Sequence, residues 1–122
     1  MNIKVSVTLA LLLGSTVSMA ECVAPDAPTL PDGANSTMQD MIAGQNAVKT
    51  FQADNIAYMG CLEKVFNDAE AAGKKGTDEE KATAMTVYDK ALDEYNISVS
   101  REEEVAGQFN TEIREYKAAN PS

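Results

Sequence analysis

The sequence predicts an all-α fold: an antiparallel helical hairpin of two long helices, with an extended Pro-rich N-terminal arm stapled to the first helix by a disulfide. Three observations carry this expectation. Two apolar seams of 3-4 spacing are separated only by Gly73-Lys74-Lys75-Gly76. Three prolines fall in the stretch that precedes the first seam, and the two cysteines, Cys22 and Cys61, stand one in that stretch and one on the seam's helix.

The N-terminus comes first. Residues 1–20 carry a single cation, Lys4, then the apolar run Val5 to Leu13, then small residues up to Ala20. This is the pattern of a secretory signal peptide cleaved after Ala20, which places the mature chain, from Glu21, in the periplasm or outside the cell. The competing reading is an uncleaved anchor, but the run is shorter than the roughly 20 residues a span needs. Glu21 stands where a lipoprotein signal requires a small residue, so no lipid anchor and no stable membrane anchor are expected.

Residues 21–122 suffice for one domain and not two. Without Lys4, nine cationic residues face nineteen acidic ones. Such an anion has no affinity for phosphate backbones or anionic lipid, which excludes nucleic acid as a partner. An even cysteine count in an exported chain argues for a structural disulfide between Cys22 and Cys61. The spacing is not that of a thiol-redox motif. With no histidine and only two cysteines, a zinc site has too few ligands.

Residues 21–36 form the arm. Pro25, Pro28 and Pro31 forbid a helix and favour an extended path, and Asp32-Gly33 supplies a turn. From Cys22 to Thr37 the arm spans roughly 45 Å at about 3.1 Å per residue. From Met38 to Cys61 a helix rises roughly 35 Å at about 1.5 Å per residue. The arm is therefore long enough to run back along the first helix to Cys61. Ala43, Ala47, Thr50, Ala57 and Cys61, with Ala53 nearby, offer a track of small side chains for it.

The helical domain is expected over residues 37–120. Its first helix, 37–72, starts at a capping box built either on Ser36 and Gln39 or on Thr37 and Asp40, and ends where Gly73 suits a left-handed terminus. Its seam is Met41, Gly44, Val48, Phe51, Asn55, Tyr58, Leu62, Val65, Ala69, Ala72. The second helix, 78–119, opens on Thr77-Asp78-Glu79-Glu80 and stops at Asn120-Pro121. Its seam reads Met85, Tyr88, Leu92, Tyr95, Val99, Glu102, Ala106, Phe109, Ile113, Tyr116. Asn96 to Ser100 is poor helix material, and Ser100 could cap a third helix. The unbroken register favours one helix, with a bend allowed.

Folding about the loop sets Leu62 against Tyr88, Tyr58 against Leu92, Phe51 against Val99 and Asn55 beside Tyr95. One stripe from each helix makes a thin core. Ile42, Ile56, Met59, Phe66 and Ile97 lie beside the seams, and a homodimer forming a four-helix bundle would bury several of them.

Candidate chemistry is sparse. Met38, Met41 and Met59 suggest copper thioether ligation only weakly, and core packing explains them better. Glu102-Glu103-Glu104 with Asp93 and Glu94 reads as a solvated face, since helical acids do not converge the about six to eight oxygens calcium takes. Asn35 and Asn96 match the glycosylation pattern, a signal of low specificity. No nucleophile–base pair is available without histidine, so no catalytic residue, cofactor or metal is assigned.

The set Cys22, Pro31-Asp32-Gly33, Met41, Ala43, Gln45, Val48, Phe51, Tyr58, Cys61-Leu62, Tyr95-Asn96, Phe109-Asn110 and Ile113 resembles a family of small exported proteins of proteobacteria. The resemblance implies the compartment and the Cys pairing, and no activity. The expected role is a non-enzymatic one, contact with a protein partner whose identity the sequence leaves open. The alternatives are an acidic periplasmic chaperone or stress protein, and a metal-handling protein using Met and carboxylate ligands.

Overall fold

A computed structural model describes residues 22–122; the expected signal segment and Glu21 lie outside the described residues. The described chain is helical throughout its ordered elements, with α1 at Met38–Ala72, α2 at Asp78–Ala119 and one 3-10 turn at Gly33–Asn35 before them. No helix among the described residues is long and apolar enough to cross a membrane.

Local chemistry explains the helix ends. Of the two capping boxes the sequence offers, Thr37 with Asp40 forms: the Thr37 hydroxyl accepts from Asp40 N–H (3.1 Å) and the Asp40 carboxylate accepts from Thr37 N–H (2.9 Å). Those bonds hold the Asp40 carboxyl below its usual range. Ser36 is instead drawn into the preceding turn, its hydroxyl donating to the Asp32 carbonyl at 2.6 Å. The expected left-handed terminus at Gly73 is not adopted; Gly73 stays right-handed (φ −67°, ψ −12°). Lys74 and Lys75 N–H groups continue with bonds to the Ala71 and Ala72 carbonyls (3.3 and 3.2 Å), and the chain reverses at Gly76, whose φ is +92°. The Thr77 hydroxyl caps α2 by accepting from Glu80 N–H (3.2 Å).

α2 is one helix through Asn96–Ser100. Ser98 is tolerated there because its hydroxyl donates back to the Glu94 carbonyl (2.9 Å).

Every buried residue of α1 belongs to its expected seam. In α2 the buried set is Ala84, Ala91, Ser98, Val105 and Phe109. Four expected seam positions thus shift by one residue: Met85 and Val99 are exposed and Leu92 and Ala106 only half-buried, while their smaller or better-placed predecessors turn inward. Ala84, Ala91 and Ser98 allow close approach to α1, and the large neighbours, about 100° further round, are left on the flank.

Contacts between the helices run in opposite order. Gly44 lies against Phe109. Asn55 Nδ2 donates to the Ser98 carbonyl (3.0 Å). The Tyr58 hydroxyl donates to Glu94 (3.4 Å), and the Phe66 ring meets Tyr95 and Tyr88 edge-on at 5.8 and 5.9 Å. Asn55 therefore pairs with Ser98 rather than beside Tyr95, close to one turn away from the expected register. Its Oδ1 stays without a partner although the residue is fully buried. A lone buried amide of this kind costs stability and favours one register over its slips.

Candidate functional site

The helix pair has two flanking grooves, and the chain treats them differently. The first is filled by the N-terminal segment. Cys22 and Cys61 are joined by a disulfide with their Cα atoms 5.6 Å apart. From there the segment passes Asp54, Ala57 and Tyr58 and descends between the helices, where Leu30 packs on the cluster of Met41, Val48, Phe51, Val105 and Phe109.

Pro31 decides where the strap seats. A Cβ on Gly44 would stand 2.7 and 2.8 Å from the Pro31 ring and 3.1 Å from the Phe109 ring. Only a glycine at that seam position lets the proline enter. Two residues on, the chain reaches α2: Gly33 is buried and donates its N–H to the Glu112 carboxylate at 2.7 Å, and a Cβ there would collide with the Glu112 carbonyl. The expected track on α1 is used only at its upper end, where Cys61 carries the bridge and Ala57 lies beside the segment. Ala43, Thr50 and Ala53 remain exposed, because an interhelical groove buries more of Leu30 and Pro31 than one helix's surface can.

The turn that locks the strap's end is self-contained. Asp32 accepts from Ala34 N–H (3.2 Å) and from Asn35 Nδ2 (2.7 Å). Docking it on α2 brings Asp32, Glu112 and Glu115 together with carboxylate oxygens within 4.8 Å of one another. The charge of Glu112 is the main reason that the Glu115 carboxyl is pushed up; burial, a hydrogen bond to Glu112 and the Asp32 charge add to it, and Arg114 opposes. Nothing in the sequence pattern links Asp32 to acids about eighty positions away, and sequence reasoning missed this cluster. Tyr58, under the strap's upper end, has its phenol pushed up by burial first and by the neighbouring Glu94 charge second.

The second groove has no strap. Its α1 flank is Met38, Gln45, Gln52, Met59 and Phe66, with Ile42 and Ile56 beside them. Its α2 flank is Met85, Leu92, Val99, Ala106 and Ile113, and none of these positions carries a charge. Ile42, Gln45, Ile113 and Lys117 line one cavity at its lower end. On the strapped side the matching positions include Asp54, Asp68, Glu94, Arg101 and Glu115.

The remaining candidates scatter. Met41 is buried in the core cluster, while Met38 is 58% exposed. Glu103 and Glu104 point to solvent and Glu102 is half-buried, as Glu94 is. Asn35 and Asn96 are exposed, and Ile97 lies away from the open groove, beside Arg101 and Glu104. Comparison with family models, curated proteins and solved structures gives no match.

Proposed function

We propose that this chain is an exported, non-enzymatic protein that works by protein–protein contact in the periplasm or envelope, its helices forming an antiparallel hairpin with one groove strapped and the other left as the contact face. The observation that carries this reading is the open groove. A chain of net charge −9 leaves Met38, Ile42, Ile56 and Met85 exposed at 50–61% along it, and the few charges on that side, Glu63 and Glu102 against Lys49 and Lys117, are mixed in sign. Exposed apolar surface gathered on one side is the mark of a contact site. The disulfide supports export, since cystines persist in oxidising compartments. The absence of histidine from the sequence, and the placing of the clustered carboxylates at a strap-locking turn, support a role without catalysis.

A photo-crosslinking residue placed at Ile56 in the native host tests this reading. The expected result is protein adducts from Ile56 and none from Glu104 on the far side of the helix pair. Failure to trap protein at Ile56 and at Met85 sinks the contact role. N-terminal sequencing of the chain released by osmotic shock checks export separately, with Glu21 expected as the first residue.

A further inference from the structure

The open groove is an interaction surface whose composition selects its occupant. On the premise that this face makes the contact described above, we propose that it is filled by the same face of a second copy, giving a four-helix bundle with both straps turned outward.

Charge placement carries the argument. Two copies of a chain with nineteen acids and ten bases repel one another wherever the surplus lies. The open groove is the side on which acids and bases come closest to balance, so it is the side on which two copies meet with the least opposition of like charges. A cationic partner would be recognised by an excess of acids on the contact face, and here Glu63 and Glu102 are offset by Lys49 and Lys117. The outer rim carries both signs, Lys49 and Lys117 beside Glu63, Asp89 and Glu103, as a polar rim around an apolar centre requires.

Size agrees. Met38, Ile42, Ile56, Met85 and Val99, exposed at 36–61%, leave on the order of 500 Å² of apolar surface spread along the length of the helix pair. The half-buried Met59, Phe66, Leu92 and Ile113 between them bring the face toward the about 800 Å² per partner of a standard interface. A closed pair has two-fold symmetry, and a uniform uncharged stripe is self-complementary under it. Ile56 and Val99 stand at the level of the Asn55–Ser98 bond, midway along both helices, so either direction of the two-fold axis in the interface brings them to the partner's Ile56 or Val99.

Sedimentation equilibrium on the exported chain, purified with its disulfide formed, tests the proposal. Wild type is expected to be a dimer at micromolar concentration. A chain carrying Ile56→Glu and Val99→Glu is expected to be monomeric, as is one carrying Ile56→Lys and Val99→Lys, and mixing the two is expected to restore a dimer containing one of each. Circular dichroism reports whether the variants stay helical; if the double variants do not, Ile56→Glu alone, at a side chain 61% exposed, gives the same reading. A wild type that stays monomeric to millimolar concentration overturns the proposal, as does a dimer that the charged variants leave intact. Either result leaves foreign-protein adducts at Ile56 to support the contact role, whereas loss of all adducts removes that role itself.

Discussion

The two grooves flank the same helix seam and differ in chemistry. The strapped one mixes apolar packing, through Leu30 and Pro31, with a backbone hydrogen bond to Glu112 and a rim that includes Asp54, Glu94, Arg101 and Glu115. Its cover is a polypeptide with N–H groups to satisfy, and Glu112 accepts from one of them, at Gly33. The open groove has no backbone to satisfy, and its few charges, among them Glu102 and Lys117, are mixed in sign. Groove chemistry thus matches the extended segment of the same chain that fills the first groove and, on the proposed reading, a dry side-chain surface at the second.

The comparison breaks most visibly at the disulfide. Replacing Cys22 and Cys61 with serine frees the strap and removes a loop closure spanning 39 positions. On the chain-entropy model this costs about 4 kcal/mol. Urea unfolding of the disulfide-bonded and serine forms measures it. The open-groove variants at Ile56 and Val99 should leave the stability of the separated chain much closer to wild type. If the serine form loses well under about 2 kcal/mol, the low end of what a native bridge contributes, the strap is laid on the helices without holding them.

A smaller effect sharpens the same contrast at single glycines. Gly44→Ala drives a methyl group into the Pro31 ring, and the expected loss is about 1–3 kcal/mol of overpacking against about 1 kcal/mol of helix propensity gained. Gly107, on the outer surface of α2, has nothing within 4 Å of an added Cβ, so Gly107→Ala should stabilise by about 0.5–1 kcal/mol. Opposite signs in urea midpoints are expected. A stabilising Gly44→Ala shows that Pro31 does not need the groove floor.

These positions also mark where the sequence is readable and where it is not. The α1 seam is legible because most of its buried residues, Met41, Val48, Phe51, Tyr58 and Leu62, are large and apolar, and the N-terminal caps are legible because they are made within four residues, whereas the C-terminal cap at Gly73 is not. The α2 seam is half legible. Periodicity finds Tyr88, Tyr95 and Phe109, but counting apolar volume prefers Met85, Leu92 and Val99 over Ala84, Ala91 and Ser98. What decides is how closely two helices approach, a property of both partners that one helix's pattern does not contain. The strap's length and staple are legible from arithmetic. Its seat is not, since Gly44 reads as an ordinary small seam residue until Pro31 and Phe109 are seen on either side of it. The Asp32, Glu112 and Glu115 cluster follows from that seat and is invisible for the same reason.

That cluster supplies the smallest and most specific prediction. Glu112 is committed to the strap through Gly33 N–H, and its charge is what chiefly pushes the Glu115 carboxyl up. An acid raised in the folded state binds its proton more tightly folded than unfolded. Ionising it therefore costs stability above the folded pKa, and that cost shrinks as pH falls through the folded pKa and is gone below the unfolded one. Glu115→Gln removes the repulsion without touching the Gly33 bond. The expected result is a slightly higher melting temperature than wild type at neutral pH, with the two curves converging as pH is lowered through the glutamate range. Asp40, held low by Thr37, loses its capping advantage only at lower pH, below the ordinary aspartate value, and does so in both proteins, leaving the difference unchanged. A gap that persists undiminished into acid assigns the effect to packing instead, and the strapped groove then tolerates its crowded carboxylates without electrostatic cost.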